Sequence, residues 1–228
     1  MRMLLPVAAF AAFAVASPAQ AQELGDRPVR ITLPGIGFTR SLNGAADNAV
    51  SSGGALTLRS DAKRDNFRDP DGKLSNNTAP VLLAGVDNRR PFTLTARLTP
   101  QFNATYDAGT LYVWVRDDLW LKLAMERDER GKTRIVSVRT DGTSDDNNHD
   151  VVTAKSVMMK ISSDTKTVGL YYSIDGRSWQ LVRLFKNGYP DKIWLGISTQ
   201  SPLGKGTTTK FEALSLTQKS IADFRLGQ

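Results

Sequence analysis

The chain has 228 residues, 40% of them hydrophobic and 23% charged, with 30 Lys and Arg against 23 Asp and Glu for a formal net charge of +7. That length suits one substantial hydrophobic core, and the composition excludes wholesale disorder and a protein of many membrane spans. Cysteine is absent, which removes disulfides, thiolate metal sites and a cysteine nucleophile together, and the single histidine, His149, leaves no room for a multi-histidine metal cage.

Residues 1–21 carry the pattern of an export signal. Arg2 supplies the positive start, Leu4 to Ala16 is apolar apart from Pro6, and Ala19-Gln20-Ala21 is a small-x-small cleavage site. The apolar run is too short to cross about 30 Å of hydrocarbon as a helix. No later stretch approaches a membrane span, so the expectation is a periplasmic or secreted protein with no integral membrane segment after cleavage. Removing the signal leaves 29 basic against 23 acidic residues. Such a balance suits acidic polysaccharide, anionic membrane or nucleic acid. The basic residues are scattered, however, and an exported protein rarely meets nucleic acid. The reading is a solvated basic surface with no nucleic-acid partner.

Residues 22–54 are rich in Gly, Asn, Ser and Ala and carry one convincing strand, Val29–Leu33. A long loop packed on the domain and a flexible leader are both compatible with the remainder. From Ala55 onward the hydrophobic period is two. Strand-like alternation marks Ala55–Ser60, Val81–Ala84, Phe92–Leu98, Gly109–Arg116, Leu119–Arg127 and Thr133–Thr140. It continues in Val157–Ser162, Thr167–Ser173, Trp179–Phe185, Ile193–Thr199 and Thr208–Leu216. Turn pairs such as Asp71-Gly72, Asp141-Gly142 and Asp175-Gly176 separate them. About twelve strands without a convincing amphipathic helix predict one all-β sandwich or barrel over 55–217. Residues 218–228 form a tail, with a short helix as one reading.

Within Leu119–Glu126, strand parity turns Leu119, Leu121, Leu123 and Met125 one way and Trp120, Lys122, Ala124 and Glu126 the other. Tyr112, Trp114 and Arg116 fall on that second face from the preceding strand. Rings beside charged groups suit a sugar, whose C–H faces stack while its hydroxyls need polar partners. The other reading of the same rings is a second small core beneath a loop. Arg183 joins the face only if Val182 and Leu184 point into the core.

Asp141 to Asp150 is an oxygen-rich segment read as a polar loop. Asp141, Asp145, Asp146 and Asp150 offer calcium ligands, although the spacing is not that of an EF-hand and no metal site is assigned. Asp65 to Lys73 reads as a second acidic turn. Tyr171 to Trp179 reads as a tight hairpin around Asp175-Gly176, one residue short of the sialidase Asp-box and present once. No nucleophile elbow, HExxH or Gly-rich phosphate loop occurs.

Taken in order, several strings resemble one family of uncharacterised function: Asn77-Thr-Ala-Pro80, Tyr106-Asp-Ala-Gly109, Trp120-Leu-Lys122 with Glu126, Ser144-Asp-Asp146, Tyr172-Ser-Ile-Asp-Gly176 with Trp179, and Leu195-Gly-Ile197. That family includes bacterial exported proteins, is related to a yeast protein named as a regulator of enolase, and is similar to the C-terminal sandwich of some β-xylosidases. The resemblance covers about 55–217 and implies a concanavalin A-like jelly-roll sandwich of two antiparallel sheets, with no established catalytic residues. Many relatives carry glutamine where this chain has Ala108, and some carry tryptophan where it has Asp146.

The leading expectation is a non-catalytic carbohydrate-recognition module that uses Tyr112, Trp114, Trp120, Lys122, Glu126 and Arg183, with Asp145 and Asp146 at the rim. The alternatives are a glycoside hydrolase or polysaccharide lyase using Glu126 with Asp145 or Asp146, and an envelope domain whose partner is another protein.

Overall fold

The alternation of β8 (Phe92–Pro100), buried at every second residue, shows how the chain is laid out. One side of each central strand faces a shared interior and the other faces outward. The computed structural model describes residues 26–228, so the segment read as an export signal with its cleavage site lies outside the described residues.

The strands before β8 are β1 (Arg27–Leu33), β2 (Ile36–Leu42), β3 (Ala49–Ser52), β4 (Ala55–Asp61), β5 (Asn66–Arg68), β6 (Ser75–Asn77) and β7 (Val81–Asp87). After it come β9 (Ala108–Arg116), β10 (Leu119–Arg127), β11 (Thr133–Asp141), β12 (Thr143–Val151) and β13 (Val157–Ser163). The chain ends through β14 (Thr167–Ser173), β15 (Gln180–Lys186), β16 (Lys192–Gln200) and β17 (Gly206–Thr217). An eight-stranded sheet runs β1-β2-β7-β16-β9-β10-β11-β12, a seven-stranded sheet runs β15-β14-β13-β8-β17-β4-β3, and β5-β6 stand apart as a ribbon. Both large sheets are antiparallel, giving the predicted two-sheet sandwich. Its interior holds Leu111, Val113, Leu121, Leu123 and Met125 from one sheet against Leu94, Ala96, Ile161, Leu170 and Phe211 from the other.

The segment 22–54, where one strand was predicted, holds β1, β2 and β3 with a 3-10 turn at Ala45–Asn48. Its apolar residues Leu33, Ile36, Phe38 and Ala45 enter the main interior. Thr143–Val151, read as a loop, is the edge strand β12. An edge strand needs one ladder, and polar or charged side chains there discourage further pairing, so a sequence with almost no apolar residue still forms a strand. In the expected hairpin, Gly176 takes φ +74. The Asp175 carboxylate accepts from the amides of Arg177 and Ser178, both at 2.8 Å, and these bonds hold its pKa far below the usual carboxylate range.

The tail forms turns and no helix, and it covers the outer face of the seven-stranded sheet. Tyr171 Oη donates to the Phe224 carbonyl at 2.7 Å and Lys160 Nζ to that of Gly227 at 2.6 Å. The Lys160 ammonium lies 3.6 Å from the centre of the Trp179 ring, and burial draws its pKa down to about 8. No described helix is long and apolar enough to cross a membrane.

Candidate functional site

The outward face of the eight-stranded sheet is built by parity. In the β9–β10 ladder Trp120 stands opposite Trp114, Lys122 opposite Tyr112 and Glu126 opposite Ala108. The β10–β11 ladder adds Val138 beside Lys122 and Val136 beside Ala124. The β9–β16 ladder places Gln200 beside Ala108. All these residues share the face predicted for Trp120, Lys122 and Glu126.

The three rings are not displayed on it. Tyr112, Trp114 and Trp120 are 0%, 1% and 0% exposed and form a second apolar cluster with Leu42, Val81, Leu83 and Val138. Phe67, from the ribbon β5–β6, packs on this cluster. The two indoles stack at 6.4 Å with 5° between their planes, and burial pushes the Tyr112 phenol up to about 12. Tyr112 Oη accepts from Asn66 Nδ2 at 3.2 Å, and Ser144 Oγ accepts from the Arg68 amide at 3.0 Å, so the ribbon is pinned across the face. The picture of open stacking platforms is therefore corrected. A hydrophobic surface of this size is stable only when covered, and the Asp65–Thr78 segment covers it.

Beside the ribbon the face stays open as a cleft of about 700 Å³. Its floor is Lys122, Glu126 and Gln200, its apolar walls include Phe67, Leu74, Val136, Val138 and Leu203, and Asp146, Glu129 and Lys63 stand around it. Lys122 is buried, and its ammonium donates to Asn66 O at 2.8 Å, Gln200 Oε1 at 3.0 Å and Asp65 Oδ1 at 3.3 Å. Burial opposes its charge, but Asp65, Tyr112 and Glu126 outweigh that, and its pKa rises. Glu126, 8% exposed, meets Gln200 Nε2 only at 3.5 Å. Burial pushes its pKa up to about 8, against the pull of Lys122, so at neutral pH it is mostly a neutral acid. Tyr106 stands at the rim in the left-handed region at φ +65, a costly conformation for a large residue.

Of the two acidic residues expected at the rim, only Asp146 reaches the cleft. On β12 it pairs with Val138, which faces the cleft, whereas Asp145 pairs with Arg139 and turns the other way. Burial raises the Asp146 pKa. Asp145 instead meets Arg183 at 3.4 Å across the open edge of the sandwich. Arg183 belongs to β15 of the opposite sheet, with the neighbouring Val182 packed on the main interior. Arg183 and Asp145 are thus separated from Lys122 and Glu126. Among the described residues no group of three or more His, Cys, Asp or Glu side chains could hold a metal ion. Alternation along β12 disperses the carboxylates that the sequence had suggested as calcium ligands.

The cleft also uses residues that sequence reading passed over. Asp65 lay in a segment read as a turn, yet it supplies the carboxylate beside Lys122. Gln200 was legible in principle, because strand parity from Ser198 and Gly196 puts it on the outward face.

Known proteins bear on this arrangement as follows. The chain is 27% identical over 165 residues to "Regulation of enolase protein 1" of Saccharomyces cerevisiae, covering 72% of this chain and 82% of that protein. The solved structure of a functionally unknown protein from Saccharomyces cerevisiae superposes with a TM-score of 0.71 at 24% identity, covering 78% of this chain and 95% of that one. Xyloglucan PUL GH43B of Bacteroides ovatus matches with a TM-score of 0.60 at 14% identity. That match takes in 94% of this chain but 41% of the longer protein, and it shows a shared sandwich fold. The pattern of the family described as "Protein of unknown function (DUF1349)" matches residues 42–219, more than half of the chain, and the chain belongs to that family.

Proposed function

We propose that this is an exported, periplasmic or secreted carbohydrate-recognition module that binds part of a poly- or oligosaccharide in the cleft without cleaving it. The observation that carries the reading is the floor of the cleft. Three buried polar side chains, Lys122, Glu126 and Gln200, lie among apolar walls in a space of about 700 Å³. Concave sites of that size, mostly apolar with a few fixed polar groups, are where small ligands bind. A sugar ring needs both kinds of surface. A neutral Glu126 both donates and accepts a hydrogen bond, as a hydroxyl requires. The likeness to a protein named for xyloglucan agrees with this reading.

The test is calorimetric titration of the purified protein with soluble xyloglucan, xylan, β-glucan, chitosan and pectin, beside Glu126→Gln and Asp146→Asn variants. Saturable binding that both variants weaken is the expected result. Absence of binding to every glycan would overturn the reading.

One observation favours a second reading. A carboxyl raised to about 8 is poised to donate a proton at neutral pH, and Asp146 supplies a further acidic group in the same cleft. A glycan-cleaving enzyme would release product from the same panel, and Glu126→Gln would abolish turnover. Asp145 is on the wrong side of β12 to take part.

A further inference from the structure

Although the chain is basic, its cleft is not. Asp65, Glu126, Glu129 and Asp146 line it against Lys63 and Lys122 alone. An ammonium has three N–H donors, and those of Lys122 are taken by Asp65, Asn66 and Gln200, so it has none left for a ligand. The arginines nearby are committed elsewhere. Arg134, opposite Glu126 in the β10–β11 ladder, donates to Asp128 Oδ2 at 3.2 Å and to the His149 carbonyl at 2.7 Å. Arg183 is held by Asp145. Glu126 is more than nine-tenths buried, and its one hydrogen-bond partner, Gln200 at 3.5 Å, reaches only one of its two oxygens.

Resting on the saccharide reading above, we infer that the cleft is built for an amino sugar: its free ammonium is taken by the Glu126 carboxyl, Asp146 adds negative charge to the same cleft, and acidic sugars are excluded. The charged and titratable groups facing Glu126 are Lys122, Asp65, Asp146 and Glu129, with Arg134 across the ladder already paired to Asp128 and with Tyr106 and Tyr112 beside them. An arriving ammonium adds the positive charge that this set lacks. Glu126 then gives its proton to solvent and its carboxylate pairs with the ammonium. One proton leaves per ligand bound, and no bond to carbon is made or broken. A uronate would instead bring a further negative charge beside Asp146 and Glu129, with Lys122 already neutralised by Asp65 and Lys63 the one other lining cation to set against them.

The experiment is titration calorimetry at pH 6 with three tetramers of matched size: β-1,4-glucosamine, its N-acetylated form, and galacturonate. Each is run in two buffers of different ionisation enthalpy to count protons. The glucosamine tetramer should bind at least about tenfold tighter than the neutral one, since an ion pair with a carboxylate is a strong hydrogen bond. It should also release about one proton, and galacturonate should not bind. Glu126→Gln keeps the shape and the neutral state of the free protein, so it should fold normally while losing both the preference and the proton release. Asp146→Asn should weaken the preference and Asp145→Asn should leave it. Equal or tighter binding of the N-acetylated or galacturonate tetramer would overturn the inference and leave the saccharide reading standing. So would binding of other glycans only. No binding to any glycan would remove both.

Discussion

Glu126 allows the chemistry of the cleft to be checked without a ligand. In the unfolded chain its carboxyl titrates near the ordinary 4.5, whereas in the folded protein burial, opposed by Lys122, pushes it to about 8. Between those values the folded state keeps a proton that the unfolded state has lost. The contribution of this group to stability is therefore complete below pH 4.5 and declines as pH rises toward 8, the reverse of an ion-paired carboxylate. One proton corresponds to about 1.4 kcal/mol per pH unit, so going from pH 5 to pH 7 costs about 3 kcal/mol. For a domain of this size that lowers the urea midpoint by about 1 M. Glutamine has nearly the same shape and no charge to bury. Glu126→Gln should thus exceed the parent by only about 1 kcal/mol at pH 5, where the unfolded glutamate is already largely ionised, and by about 3–4 kcal/mol at pH 7. Urea titrations followed through the buried tryptophans at pH 5, 6 and 7 give the difference directly, and groups shared by the two proteins cancel. Curves that stay parallel across this range would refute a buried, protonated Glu126.

Trp120→Ala should cost about 3–5 kcal/mol, because the ring is fully buried against Trp114. A thermal melt that barely moves would show that the ring is not covered. Lys122→Met removes the cation while leaving Asp65 beside the cleft, and breaking such a buried pair should destabilise by about 3–5 kcal/mol. Asp65→Asn in the same background should recover part of that loss, measured as a double-mutant cycle in urea. Tyr171→Phe should cost about 1 kcal/mol by freeing the Phe224 carbonyl. Amide exchange of residues 219–227 should then speed up, and unchanged exchange would refute a tail held by that bond.

Periodicity along the strands narrowed the fold to an all-β sandwich or barrel and assigned side chains to faces, and the family resemblance chose the sandwich. Alternation in Phe92–Leu98, Gly109–Arg116 and Leu119–Arg127 is a local property of the strand. It puts Trp120, Lys122 and Glu126 on one side and Leu121, Leu123 and Met125 on the other whatever the rest of the chain does. Local pattern does not determine what lies over a face. Whether Tyr112, Trp114 and Trp120 meet solvent or a second layer depends on Asp65–Thr78, which is more than thirty residues earlier in the chain. Its short strands carry none of the alternation that marks a buried element. β12 carries no such pattern for the same reason, because an edge strand needs no apolar face. Only pairing with β11 decided that Asp146 enters the cleft while Asp145 leaves it. The tertiary structure likewise decided the charge of Glu126: an acid that reads as ionised in the sequence becomes neutral because the fold removes it from water and gives Lys122 other partners.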